Sequence, residues 1–155
     1  MRCVLQRVSS ASVEVDGKVV SSIGAGLVCL IGVCAKDEAK DAEYISRKIL
    51  NSRLWPNPEK NKGWDLNVQQ MEHELLMVSQ FTLYGRLNGN KLDFSRAMKP
   101  NEAREFYEAF VERVRLGYSK DKVKDGIFGA MMNVGLVNDG PVTLVLDSKQ
   151  ENGQS

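Results

Sequence analysis

Histidine is almost missing from this sequence: 155 residues contain one, His73. A metal centre built on several imidazoles is therefore excluded, and any Ser-His-Asp arrangement would have to use that one ring. Cysteine is nearly as scarce. Cys3, Cys29 and Cys34 have no paired metal-type spacing and leave an odd thiol. Their apolar, strand-like surroundings imply buried, reduced thiols and a cytoplasmic protein. Charge of one sign is missing too: 21 Lys and Arg face 20 Asp and Glu, for a formal net charge of +1. That balance excludes coating nucleic acid by bulk charge but leaves room for a local site for one RNA end. No long apolar run is present. The longest uncharged stretch, Val19 to Ala35, is interrupted by Ser21, Ser22, Gly24, Gly26 and Gly32, which suits two strands better than a membrane span. The start, Met1-Arg2-Cys3-Val4-Leu5-Gln6-Arg7, lacks the apolar core of a signal peptide. A Gly-rich phosphate loop, an HExxH helix and a paired-Cys site are all absent, so neither a metal nor a cofactor is expected.

What is present describes one ordinary domain over residues 1–155, with a polar tail from about 149. A chain of this length buries about 70% of its unfolded surface, enough for a core without a staple. Residues 3–15 alternate like a strand, and Asp16-Gly17 is a hairpin turn. Strands near 18–23 and 27–34 follow. Asp37 is placed to cap a helix carrying Ala42, Ile45 and Ile49 on one face and ending before Pro56. Pro56 to Gly63 reads as a polar loop and Glu74 to Phe81 as a strand. Ala103, Phe106, Phe110 and Val114 recur at helical spacing from about Pro100 to Leu116, with Gly117 as the stop. Strands near 126–137 and 142–147 flank Asn138-Asp139-Gly140-Pro141. The class is α+β, a largely antiparallel, barrel-like sheet with two main helices.

The chemistry is less direct. If residues 73–79 form one strand, His73 and Ser79 lie about 20 Å apart, so a simple triad does not form. Two other segments stand out. Ser79-Gln80-Phe81-Thr82-Leu83 follows the apolar Leu75-Leu76-Met77-Val78, and Asn138-Asp139-Gly140-Pro141-Val142-Thr143 enters the last strand. Taken alone, the first reads as a polar strand end and the second as a tight turn.

Together, and with Met1-Arg2, Gln6-Arg7-Val8 and Arg53-Leu54-Trp55, they resemble the D-aminoacyl-tRNA deacylase family over nearly the whole chain. One departure is Leu92 in Lys91-Leu92-Asp93-Phe94, where relatives often carry proline. The resemblance implies a homodimer that hydrolyses the ester of D-aminoacyl-tRNA and, having no side chain to exclude, glycyl-tRNA. Its partner would be the aminoacylated 3′ end of tRNA. Ser79, Gln80, Phe81 and Thr82 would form the catalytic segment. Gly140 and Pro141, joined by a cis peptide, would enter the neighbouring subunit's site as a chiral wall, with Arg7 fixing that loop. Ala103, Phe128, Gly129 and Met132 would line a pocket for the terminal adenine. Two mechanisms stay open: attack by Thr82, or assistance by the ribose 2′-OH of the tRNA. A non-catalytic nucleic-acid-binding dimer and a small-molecule esterase are the competing readings.

Overall fold

The computed structural model describes residues 1–149. Its main sheet runs in the order β10-β1-β3-β6-β9, with β2 paired to β1. In chain order these are β1 (Arg2–Val15), β2 (Lys18–Ile23), β3 (Gly26–Gly32), β6 (Glu74–Ser79), β9 (Val123–Asp125) and β10 (Asn133–Asp147). The β10-β1, β1-β2 and β1-β3 pairings are antiparallel; β3-β6 and β6-β9 are parallel. β2 also leans across to β6 and β9, so the sheet curls towards closure as a barrel. The β1-β2 turn has Asp16 at φ 51° and Gly17 at φ 76°. Two consecutive positive φ angles match the right-handed twist of the flanking strands.

Two helices, α1 (Ala39–Asn51) and α2 (Pro100–Gly117), cover one face of the sheet. Alternation along β1 and β3 splits their buried residues between two cores. Cys3, Leu5, Leu27, Cys29 and Ile31 meet Ile45 and Ile49 of α1 and Tyr107, Phe110 and Val114 of α2. Val8, Ala11, Val13 and Val28 meet Leu76 and Val78 inside the curl. β3 is thus apolar on both faces, as a central strand with a parallel neighbour requires.

Several boundaries differ from the sequence expectation. Asp37 does not cap α1; the cap is Glu38, whose N–H donates to Asp41 Oδ2 at 2.8 Å. The Asp37 carboxylate instead accepts from the fully buried Met1 ammonium at 2.6 Å and the Cys34 N–H at 2.7 Å. A buried ammonium left unpaired is costly, so this demand outranks capping. Residues 56–63 are the tip of a hairpin rather than a plain loop. It comprises β4 (Trp55–Asn57), a 3-10 turn (Pro58–Lys60) and β5 (Lys62–Leu66). Phe106 is only partly buried and Tyr107 takes the core-facing position on α2, while Gly117 is the last helical residue and Tyr118 the cap. Residues 126–132 form no strand; they turn beyond β9 before β10 begins. Residues 89–90 link another small hairpin, β7 (Arg86–Asn88) to β8 (Lys91–Asp93), which carries Leu92 with its side chain exposed. Of the polar tail, 150–155 lie outside the described residues. Among the described residues no helix is long and apolar enough to cross a membrane, and no group of three or more His, Cys, Asp or Glu is placed to hold a metal ion.

Candidate active site

The parallel strands β3, β6 and β9 end at one edge of the sheet, and the catalytic candidates gather there. β6 stops at Ser79, two residues short of Phe81: Gln80 breaks the extended backbone and Phe81–Tyr84 winds into a 3-10 turn. The Gln80 N–H still donates to Ile31 O at 2.7 Å, pinning the turn to the end of β3. Gly32 explains how close the two lie. A Cβ there would stand 2.8 Å from Leu83 Cβ and 3.1 Å from Gln80 O, so no larger residue fits. Arg2 ties down the far side, donating from Nη1 to Leu83 O at 2.8 Å and covering the Tyr84 ring at 4.6 Å.

The turn presents a small polar surface. Thr82 is exposed, and its Oγ1 accepts a hydrogen bond from Gln80 Nε2. Phe81, 60% exposed, meets Phe94 edge-on at 5.0 Å. The first backbone donor of the turn is Leu83, to Gln80 O at 3.3 Å. The N–H groups of Phe81 and Thr82 therefore have no backbone acceptor among the described residues, as at any helix start. Free amides at a strand end can stabilise a developing oxyanion.

His73 lies at the opposite end of β6, half-buried and edge-on to Trp55 at 5.4 Å, not freely solvated. Burial, with a smaller contribution from Lys122, lowers its pKa. It supplies no base to Thr82.

The turn after β9 sits beside the same strand end, because the Gly126 N–H donates to Met77 O at 2.9 Å. Phe128 there packs on Tyr107 with ring centroids 5.6 Å apart, and Arg104 covers it at 5.0 Å. Gly129 follows at φ 78°. Ala103 is buried one helical turn before Tyr107. Met132 is the outlier of this group: it is half-buried against the inner core with Val134 and Leu136. Sequence reading missed Arg104, Tyr107 and Asp125. The Tyr107 hydroxyl donates to Asp125 Oδ1 at 2.5 Å. Burial raises the Asp125 pKa, and the Tyr107 hydrogen bond opposes that rise. Only a Tyr at helical spacing from Ala103 signalled the pair.

Gly140 and Pro141 are not at this edge. Register shows Gln6 opposite Thr143 and Val8 opposite Asn138, so residues 139–142 bulge out across from Arg7. The segment is a protruding loop within one long strand, not a hairpin turn. Its Gly140-Pro141 peptide is cis. Asn138 closes the base, donating from Nδ2 to Thr143 Oγ1 and accepting from the Val142 N–H, both at 2.8 Å. Arg7 clamps the loop from below, with Nε 3.2 Å from both Asp139 O and Asp139 Oδ2 and Nη1 donating to Leu54 O at 2.5 Å. Counted along the register and across the strands, at about 3.3 Å per residue and about 4.8 Å per strand, the loop and the 81–84 turn lie about 20 Å apart in one chain.

The D-Tyr-tRNA(Tyr) deacylase family profile matches residues 4–147. The chain is 54% identical over 151 residues to a Dictyostelium discoideum D-aminoacyl-tRNA deacylase, covering 97% of this chain and 100% of that one. It is 52% identical over 151 residues to the Drosophila melanogaster D-aminoacyl-tRNA deacylase, covering 97% and 94%. Among solved structures it is similar to one described as a c-Myc DNA unwinding element binding protein, with a TM-score of 0.90, 46% identity and coverage of 95% and 98%. A probable eukaryotic D-amino acid tRNA deacylase shares the fold, with a TM-score of 0.80, 19% identity and coverage of 94% and 97%. A profile that matches nearly every described residue, with relatives above half identity over 97% of the chain, puts this protein in the D-Tyr-tRNA(Tyr) deacylase family.

Proposed function

We propose that this chain works in the cytoplasm as a homodimer, hydrolysing the ester of D-aminoacyl-tRNA, and that Gly140-Pro141 of each subunit completes the 79–82 site of the other. One observation carries the reading. Both segments are exposed and firmly anchored, yet they stand about 20 Å apart within a chain. A site that needs both takes them from two copies. The edge strand β10 supports this, because among the described residues it pairs only with β1, and it exposes Val137 at 58% and Val145 at 69%. An exposed apolar edge is normally covered, and a closed two-fold contact covers it twice.

In the shared site, selectivity comes from backbone. Thousandfold rejection of L-aminoacyl esters needs about 4 kcal/mol. Loss of one hydrogen bond supplies about 1–3 kcal/mol, whereas a fixed wall that collides with an L side chain supplies more. The loop is fixed by Arg7 and Asn138, and it offers peptide groups rather than a side-chain pocket. A glycyl ester has no side chain to collide and passes as a substrate.

For the chemistry, water attacks the ester carbonyl, the C–O bond to the ribose breaks, and the ribose oxygen leaves with a proton. Thr82 has no neighbouring base among the described residues, and its oxygen is already bonded to Gln80. Proton transfer is therefore assigned to the 2′-OH of the terminal ribose, with the free Phe81 and Thr82 amides facing the oxyanion. The test is incubation of the purified protein with matched D- and L-aminoacyl-tRNAs, following amino acid release. Selective release from the D form supports the reading. Tight nucleic-acid binding without turnover would favour the binding role suggested by the name of one similar structure.

A further inference from the structure

Phe128 is approached from two sides that differ in burial. Tyr107, 1% exposed, reaches it from the core at 5.6 Å. Arg104 is exposed and reaches it from solvent, with its guanidinium carbon 5.0 Å from the ring centroid. Arg104 has no carboxylate within 4.0 Å among the described residues, and neither do Arg96 and Arg113, whereas Arg2, Arg7, Arg47, Arg53, Arg86 and Arg115 each have one; of the three without a partner, Arg104 is the one held over an aromatic ring. Its planar N–H fork is held against an aromatic ring, and its donors have no acceptor among the described residues. Gly129 lies alongside, where an added Cβ would meet Arg104 Nη2 at 3.5 Å, an ordinary van der Waals contact.

We propose that Arg104 binds a backbone phosphate beside the terminal nucleotide of the RNA acceptor end. This rests on the reading of Phe128 and Gly129 as the terminal-nucleotide pocket. The guanidinium fork matches phosphate geometry, and stacking on Phe128 holds it ready with less entropy to lose on binding. It also supplies what the overall charge does not. A chain of net charge +1 attracts RNA weakly at long range, so a local cation must grip the 3′ end. Because exposed Arg104 covers the Phe128 ring, a nucleotide reaching that ring meets the guanidinium as well.

The experiment compares Arg104→Met, which keeps the unbranched stem on Phe128, with Arg104→Lys and Phe128→Ala. KM, kcat and the salt dependence of kcat/KM are measured on a D-aminoacyl-tRNA, alongside melting curves. Arg104→Met should raise KM by about fivefold, the worth of about 1 kcal/mol, with kcat unchanged. Its plot of log kcat/KM against log salt should be shallower by about 0.7, one single-strand phosphate contact. Arg104→Lys should retain the wild-type slope. A wild-type KM and slope in Arg104→Met overturns the proposal. In that case a raised KM in Phe128→Ala leaves the pocket reading standing, and an unchanged KM there removes it as well.

Discussion

Gly140 stands at φ +128°, where residues with a Cβ are strained. A Cβ there would also lie 2.7 Å from Val142 Cγ2 and 3.2 Å from Arg7 Nη2. Gly140→Ala must therefore shift the loop or push away the Arg7 clamp. We expect D-aminoacyl-tRNA hydrolysis to fall by at least about tenfold while the melting temperature drops by only a few degrees, because the loop is exposed and outside both cores. Rates and a melting curve on the same preparation check this, and unchanged hydrolysis would remove the loop from the site. Thr82 is predicted to behave in the opposite way. If it only accepts a hydrogen bond from Gln80, Thr82→Ala costs about 1 kcal/mol, or about fivefold in rate. Loss of a true nucleophile costs several orders of magnitude. Single-turnover rates on a D-aminoacyl-tRNA separate the two outcomes.

Helix α1 begins on a carboxylate whose charge supports the fold. Burial works against Asp41 ionising, but the Glu38 N–H, the Ser148 hydroxyl and the Lys149 ammonium outweigh it and hold the pKa at about 2. A carboxyl pKa depressed on folding adds stability that is present above the unfolded pKa, near 4, and is lost as pH falls towards 2. The contribution at neutral pH is on the order of 2 kcal/mol. Asp41→Asn should lower stability by about that amount at pH 7 and flatten the acid limb between pH 4 and pH 2, as read by denaturant titration at several pH values. Elements of this kind show what a sequence reveals. β1, α1 and α2 were legible because their apolar periods of two and of 3.6 are long and unbroken. The cap of α1 was not. Asp37 and Glu38 are equivalent as neighbours, and only the buried Met1 ammonium, 36 residues away, decides between them. The 126–132 turn carries Ile127, Phe128, Met131 and Met132, an apolar run that reads as a strand, yet Ile127 and Met131 face solvent. At the site, the motif positions were legible and their assembly was not. The cross-strand register that sets Arg7 under Asp139 is non-local, and so is the packing of Arg104 on Phe128.

For the molecule as a whole, the proposed division of the site between chains would make an unusual demand on mixtures of variants. Phe81→Pro removes one amide of the 81–84 turn at a position where helices accept proline, and Gly140→Ala is expected to disable the loop. Each variant alone should be nearly inactive. Mixed in equal amounts and allowed to exchange subunits, half the dimers carry one site with both defects and one with neither. About a quarter of wild-type activity should therefore return. No recovery, with exchange confirmed by light scattering of tagged chains, would place both segments in one subunit's site. The central claim, hydrolysis selected by the handedness of the amino acid, is met most directly by one comparison. Matched D- and L-aminoacyl-tRNA are incubated with the wild-type protein under single-turnover conditions, and amino acid release is followed over time. The account predicts rapid release from the D form and release from the L form no faster than in protein-free buffer. Equal rates on the two enantiomers, or no release from either, would contradict it.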